Sequence, residues 1–429
     1  MTRDVAEGSL PLVGEMACRP EGTFPAMNFQ GDIIVTIEAK DEQTRAPRIR
    51  LGMVGGGSGA FIGAVHRMAA RLDDRFELVA GALSSTAEKS AASGRELGLD
   101  TDRTYGSYEE MASREAERED GIEAVSIVTP NHVHFDAAKA FLKRGIHVIC
   151  DKPLTSNLAD AKALKQVANE SGALFILTHN YTGYPMVRQA REMVESGVLG
   201  DIRIVQAEYP QDWLTEAVEQ TGAKQAVWRT DPAQSGAGGS TGDIGTHAYN
   251  LACFITGLTL DSLAADLDSF VEGRRLDDNA HVMLRFAARH GEKPAKGMLW
   301  CSQVAPGHEN GLKIRVYGTK GGIEWVQADP NYLWFTPFGQ EKRLITRNGA
   351  GSGAAAARVS RIPSGHPEGY LEAFATIYTE AALAIHAHRT GAKLDEAVIY
   401  PTVDDGVKGV AFVEACVESS RNNGAWVKV

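Results

Sequence analysis

The run Gly55-Gly56-Gly57-Ser58-Gly59-Ala60-Phe61-Ile62-Gly63 constrains this chain more than any other stretch. It follows a strand-like apolar segment, Ile49 to Val54, and opens a helical pattern with Phe61, Val65, Met68 and Leu72 on one predicted face. With a second strand at Phe76 to Leu83, these pieces predict a βαβ unit. Glycines carry no Cβ, so the backbone of such a turn can approach a pyrophosphate, and the helix N-terminus adds partial positive charge. Gly55, Gly57 and Ala60 fit the permissive GxGxxA spacing, whereas taking Gly63 as the last glycine lengthens the turn by three residues. A dinucleotide cradle is therefore expected from Gly55, Gly57, Ser58, Gly59, Phe61 and Ile62.

The alternation continues through helices at Ala87 to Leu97, Phe135 to Arg144 and Leu158 to Ser171, and strands at Ala124 to Val128, His147 to Ile149 and Leu174 to Thr178. Ser156 is the expected N-cap of the helix at Leu158, and Gly172 its stop. Short connections allow only right-handed crossovers, so the fold class expected of residues 48–178 is α/β, a doubly wound parallel Rossmann sheet. After Asn180 the texture changes to strands without intervening helices: Ile202 to Tyr209, Val282 to Phe286, Gly297 to Gln303, Leu312 to Val316, Gly322 to Val326 and Tyr332 to Phe335. Val282, Leu284 and Phe286 alternate as in a sheet with one covered face. Residues 179–429 are thus expected to form an α+β domain with a large, mostly antiparallel open sheet, serving substrate binding and oligomerisation. Helices at Met186 to Glu195, Gly245 to Thr256, Tyr370 to His388 and Val403 to Ser420 belong to it, and the Gly/Ala-rich stretch Asn348 to Ala357 reads as a mobile loop. Residues 1–47 form an N-terminal extension with a candidate edge strand at Ile33 to Ile37.

Composition narrows the partners. Lys+Arg 44 against Asp+Glu 55 in 429 residues gives a charge of −11, which argues against a nucleic-acid partner. The longest apolar runs are strand-sized, so no membrane span is expected. The acidic first 30 residues lack a signal-peptide core, which places the chain in the cytoplasm. Cys18, Cys150, Cys253, Cys301 and Cys416 form no CxxC pair and read as buried reduced thiols.

Four further segments carry candidate chemistry. The second strand ends in Leu83-Ser84-Ser85, where an NAD-preferring site normally has a carboxylate; Ser84 and Ser85, with Lys89, suit either a free ribose hydroxyl or a 2′-phosphate, so the cofactor is read as NAD or NADP. Thr129-Pro130-Asn131-His132-Val133-His134 and Cys150-Asp151-Lys152-Pro153 follow consecutive strands at their carboxyl ends, where open α/β sheets bind ligands. Asp243 and His247 are four apart and are expected to share a helix face, the carboxylate biasing the imidazole. Without a second His at ligand spacing, no metal is expected there.

Taken in order, these elements resemble the Gfo/Idh/MocA family of sugar and cyclitol oxidoreductases over about residues 48 to 429. The resemblance rests on Gly63 to His66, Thr129 to His134, Gly145-Ile146-His147-Val148-Ile149-Cys150-Asp151-Lys152-Pro153, the Asp243 to His247 spacing and Pro401-Thr402-Val403-Asp404-Asp405-Gly406. Asp151 stands where the family usually has Glu, and Asn250 where many members have Asp. The resemblance implies that Lys152, Asp243 and His247 form the catalytic group, with Thr129, Pro130, Asn131, His134, Asp151 and Lys152 around the cofactor. Hydride transfer from a secondary alcohol requires loss of the hydroxyl proton, for which a histidine with near-neutral pKa is suited, and Lys152 would stabilise the developing alkoxide. Asp243 would orient His247 or hold a substrate hydroxyl. His179, Tyr181, Trp228 and Arg229, with Tyr184, Trp213 and His366, are polar or aromatic groups suited to a polyhydroxylated ring, and Gly236 to Gly242 reads as a flexible lip. The expected function is NAD(P)-dependent oxidoreduction of a sugar, sugar derivative or inositol by a homodimer or homotetramer. The family's redox-neutral glycosidases and its non-catalytic regulators are the alternatives.

Overall fold

The computed structural model describes residues 46–288 and 293–429. The candidate strand at Ile33 to Ile37 and Cys18 lie outside the described residues.

The first half is a βα alternation: β1 (Ile49–Gly55), α1 (Phe61–Leu72), β2 (Phe76–Ala82), α2 (Ala87–Glu96), α3 (Tyr108–Ala116), β3 (Ala124–Val128), α4 (His134–Leu142), β4 (His147–Cys150), α5 (Leu158–Ser171) and β5 (Phe175–Leu177). The five strands are parallel in the order β2-β1-β3-β4-β5, so the chain winds outward both ways from β1 and β3. β3 and β4 are buried at every position, which explains their unbroken apolar sequence. The cap of α5 is Asn157, whose side chain accepts from Asp160 N–H, rather than the expected Ser156; Gly172 ends the helix at φ 69°.

Of the apolar face predicted for α1, Val65 alone is buried. Phe61, Met68 and Leu72 are exposed, and the helix packs through Gly63, Val65, His66, Ala69 and Ala70. A Cβ on Gly63 would lie 2.3 Å from Gly56 Cα, so close helix–turn packing selects small residues over large ones. The packing glycine is therefore Gly63, and Ala60 occupies the N-cap position.

The second half contains α6 (Pro185–Glu195), β6 (Ile202–Pro210), α7 (Lys224–Arg229), α8 (Pro232–Ser235), a π-helical turn (Thr241–Gly245) running into α9 (Thr246–Thr256), and β7 (Leu260–Asp268). It continues through β8 (Asn279–Phe286), β9 (Lys296–Ser302), β10 (Lys313–Gly318), β11 (Gly321–Val326), β12 (Tyr332–Pro337) and β13 (Arg343–Thr346) to α10 (Ala354–Val359), α11 (Tyr370–Thr390), α12 (Val403–Arg421) and β14 (Val427–Lys428). Nine strands form one sheet, β13-β12-β11-β10-β6-β9-β8-β7-β14, antiparallel throughout except for the parallel β6–β9 pair. Its inner face is covered by α6 and α9, and Val282, Leu284 and Phe286 point into that core. The expected loop at Asn348 to Ala357 instead runs into α10, fixed by the Gly353 N–H to Gln189 Oε1 bond and by Ala355 N–H on Glu192.

α12 packs Phe412, Val413 and Cys416 into the core of the second sheet, but α11 does not stay with that sheet, as chain order suggested. Phe374, Ile377, Tyr378, Ala381 and Ile385 of α11 share a core with Ile49, Leu51, Val65 and Ala69 of the first sheet and α1. Leu177 N–H donates to Pro401 O at 2.9 Å, so the lead into α12 docks beside β5. Among the described residues no helix is long and apolar enough to cross a membrane, and Cys150, Cys253, Cys301 and Cys416 are free thiols.

Candidate active site

The glycine turn is pinned on one side and open on the other. Gly57 N–H donates to Leu83 O at 3.1 Å and Ser58 N–H to Ser93 Oγ at 3.0 Å, which ties the turn to β2 and α2. Gly55, Gly56 and Gly59 have φ of 78°, 71° and 76°, conformations that disfavour a side chain. A Cβ on Gly57 would meet Leu83 O and Ser93 Oγ at 2.6 Å, whereas one on Gly59 would meet nothing within 4 Å. α1 has no side-chain cap at Ala60, so the N–H groups of Phe61 and Ile62 stay available to an anion. Gly59, Phe61 and Ile62 thus supply the open part of the cradle, and the Gly57 and Ser58 amides expected there are used to build it. Ser84 is half-buried at the end of β2, and Ser85 and Lys89 are exposed beyond it.

The two strand-end segments are clasped together. His134 places Nδ1 2.8 Å from Pro153 O and Nε2 2.9 Å from Thr129 O, so its ring joins the segments instead of reaching a ligand. Asn131 Nδ2 donates to Ser235 O at 2.9 Å and anchors α8. Asp151 Oδ1 accepts from Lys152 N–H at 2.9 Å and from Thr178 Oγ1 at 3.1 Å. The Thr129 methyl faces Gly55, and the Thr129 hydroxyl is buried without a hydrogen-bond partner among the described residues, which fits a ligand group arriving at the turn.

Lys152 crosses to the second domain. Its Nζ donates to Asp243 Oδ1 at 2.9 Å and to Asp243 O at 2.5 Å, and both side chains are largely buried. The other Asp243 oxygen, Oδ2, accepts from Gln303 Nε2 at 2.9 Å and Arg229 Nε at 3.2 Å. No hydrogen bond joins Asp243 to His247 among the described residues, which corrects the shared helix face expected from their spacing. The π turn changes the twist per residue, and the carboxylate leaves the helix toward Lys152. Asp277 fixes the start of that turn, accepting from Gly239 N–H, Ser240 Oγ, Thr241 N–H and Thr241 Oγ1 at 2.6 to 2.8 Å.

His247 packs its ring edge-on against Tyr181 and His179, with centroids at 4.9 and 5.4 Å. Nδ1 of His247, Nδ1 of His179 and Nδ2 of Asn180 are buried without hydrogen-bond partners among the described residues. Burial works to raise the Asp243 carboxyl, but the cations of Lys152 and Arg229 prevail and hold it well below the usual carboxylate range. Burial, then Lys152 and His179, push His247 well below its ordinary value against the opposing pull of Asp243. His179 is lowered to about 3 by burial and Lys152. The near-neutral value expected of His247 is thus corrected: the ring is held neutral, with one N–H and one nitrogen free to accept a proton.

Arg229 lies over the Trp228 ring at 4.2 Å and 6.0 Å from that of Trp213, which places α7 at the mouth of the site. Tyr181 and Tyr209 share a close hydroxyl contact, and Tyr209 donates to Asn310 Oδ1 at 2.7 Å. Tyr184 accepts from Gln327 Nε2, and His366 is exposed on the segment that Arg347 holds, with no contact to Asp243. Gln303 and Asp277 carry no sequence signal, because each reaches the site only through sheet packing. Among the described residues, no three His, Cys, Asp or Glu gather as metal ligands.

A parallel sheet with a glycine turn at the switch point, and a lysine reaching from it to a carboxylate on a second domain, define a nucleotide-binding oxidoreductase. Residues 49–181 match the oxidoreductase family's NAD-binding Rossmann fold, and residues 187–324 match the GFO/IDH/MocA C-terminal domain. The chain belongs to the GFO/IDH/MocA oxidoreductase family. It is 37% identical over 385 residues to the uncharacterized oxidoreductase YfiI of Bacillus subtilis, covering 89% of this chain and 96% of the relative. The structure of an oxidoreductase from Sinorhizobium meliloti is 70% identical, with TM-score 0.82, covering 89% of this chain and all of that one. That of an inositol dehydrogenase homolog from Azotobacter vinelandii, complexed with NADH and myo-inositol, is 36% identical with TM-score 0.82, covering 90% of this chain and 98% of the other.

Proposed function

We propose that this protein catalyses NAD(P)-linked hydride transfer at a secondary hydroxyl carbon of a cyclic polyol, inositol or sugar. The observation that carries the reading is the Lys152–Asp243 pair together with a neutral His247 whose buried Nδ1 has no hydrogen-bond partner among the described residues. A bound nicotinamide would supply the hydride acceptor or donor. Gly59 and the uncapped start of α1 would hold its pyrophosphate, and Thr129 would meet it above β3. Ser84 and Ser85 present hydroxyls and no carboxylate to the ribose, which suits either NAD or NADP.

In this reading Lys152 hydrogen-bonds the substrate oxygen and stabilises negative charge growing on it. His247 takes the hydroxyl proton at Nδ1 or Nε2, its neutral state keeping it ready across the physiological range. Asp243 holds Lys152 rather than the imidazole. His179, Tyr181 and Asn180 line the buried side, and Trp228 and Arg229 the mouth, giving a ring-shaped substrate both apolar contact and hydrogen bonds. Myo-inositol in the 36% identical relative supports this substrate class.

The test is reduced-nicotinamide absorbance with NAD and NADP against myo-inositol, other cyclitols, aldoses and glycosides. Net reduction with a cyclitol or sugar, abolished in His247→Ala, is the expected result; no reduction with any of them overturns the reading.

A further inference from the structure

Gln303 immediately follows β9 and is 2% exposed. Its backbone is fixed on both sides, donating from N–H to Asp278 O at 2.8 Å and accepting at O from Leu214 N–H at 3.1 Å. Gly245 brings strand and helix together, because a Cβ there would stand 2.9 Å from Cys301 Sγ of β9. In that geometry Gln303 Nε2 reaches Asp243 Oδ2 at 2.9 Å. An ionised carboxylate only accepts, so the amide must present its NH₂ to Asp243. The second donor to Oδ2, Arg229, sits on the short α7, is also bonded to Gln225 and stacks on Trp228. Gln303 is therefore the anchor of Oδ2 that belongs to the sheet.

We propose that Gln303 is a positioning residue: by donating to Asp243 Oδ2 it fixes the carboxylate plane, so that Oδ1 holds the Lys152 ammonium where the substrate oxygen binds. The inference rests on the role given to Lys152 above. Gln303 touches neither substrate nor cofactor in this role. It acts through Asp243, and its loss frees the carboxylate to turn toward Arg229 and away from Lys152.

Two variants separate positioning from packing. Gln303→Leu keeps the volume and removes the donor, and should lower kcat about 10- to 100-fold with little change in KM. Gln303→Glu restores a donor only while protonated, and the neighbouring Asp243 charge raises the pH at which it ionises. Its kcat should approach that of the wild type at about pH 5 and fall as pH rises, a profile that a packing role would not produce. A second readout needs no substrate: acetic anhydride labelling of Lys152 in the folded protein, followed by peptide mass spectrometry. Labelling should be several-fold faster in Gln303→Leu than in the wild type, with NAD(P) affinity unchanged, and Gln303→Met replaces the leucine variant if that does not fold. Equal labelling rates, or a Gln303→Glu profile parallel to wild type, would overturn the proposal. Absence of any polyol-dependent reduction by wild type would reject the proposed function and leave the labelling to decide the role of Gln303.

Discussion

Lys152, at the carboxyl end of β4, donates to Asp243, in the π turn before α9, at 2.9 Å, a largely buried ion pair between a strand end of the first sheet and the second domain. Removing one member leaves the other's charge in a site with little water, the costly case for buried pairs.

Lys152→Ala and His247→Ala should each depress turnover by about 10² to 10⁴-fold while NAD(P) binding persists, since the glycine cradle lies elsewhere. The double variant should be little worse than the poorer single one, because both groups serve one substrate oxygen. Single-turnover hydride transfer checks this; additive losses would show that the two act on different atoms.

Gly57 and Gly59 should respond differently to substitution. Gly57→Val drives side-chain atoms into Leu83 O and Ser93 and should lower the thermal midpoint along with cofactor affinity. Gly59→Val has room within the protein but carries a φ of 76°, so it should cost about 1 kcal/mol of stability and mainly weaken NAD(P) binding. Calorimetric scans and fluorescence titration separate the two effects.

Acid should destabilise the protein well before its carboxylates titrate. Burial holds His66 and His147 at about 4, below the ordinary value of 6.5. Above pH 6.5 neither folded nor unfolded chain protonates these rings. As pH falls, the unfolded chain binds protons that the folded one rejects, so stability present above 6.5 is lost down to about pH 4, of order 3 kcal/mol for His66. His66→Leu, which breaks the bond to Tyr378 at 2.8 Å, should be less stable at pH 8 yet show a shallower acid slope. Thermal midpoints from pH 8 to 4 read both; an unchanged slope would assign the loss to other groups.

The outer face of the nine-stranded sheet exposes Ile204, Met283, Met298 and Tyr317, and Met283 and Met298 line a hollow of about 440 Å³ with Gln206, His281 and Trp300. We expect self-association through it, with Met283→Glu plus Met298→Glu giving a lower mass by light scattering. Wild-type monomer at micromolar concentration would contradict this.

Local pattern was enough for the parallel sheet, because β1, β3 and β4 announce themselves as apolar runs between turns, and the glycines of the cradle are demanded by backbone angles that sequence exposes directly. The family resemblance singled out Lys152, Asp243 and His247 by their ordered motifs. Spacing alone could not say which of them touch. An α-helical count put Asp243 against His247, and the π turn, seated on β9 through Gly245, gave it to Lys152, Gln303 and Arg229 instead. Similarly, the apolar side chains of α1 suggested a large-residue face, but α11 returns from far along the chain, Tyr378 being 312 residues beyond His66, to pack on its small ones. Sequence determines what each residue can do chemically and which backbone shapes it tolerates. Which partners it meets depends on how helices and strands distant in the chain approach one another, and that is decided by burial of the whole core.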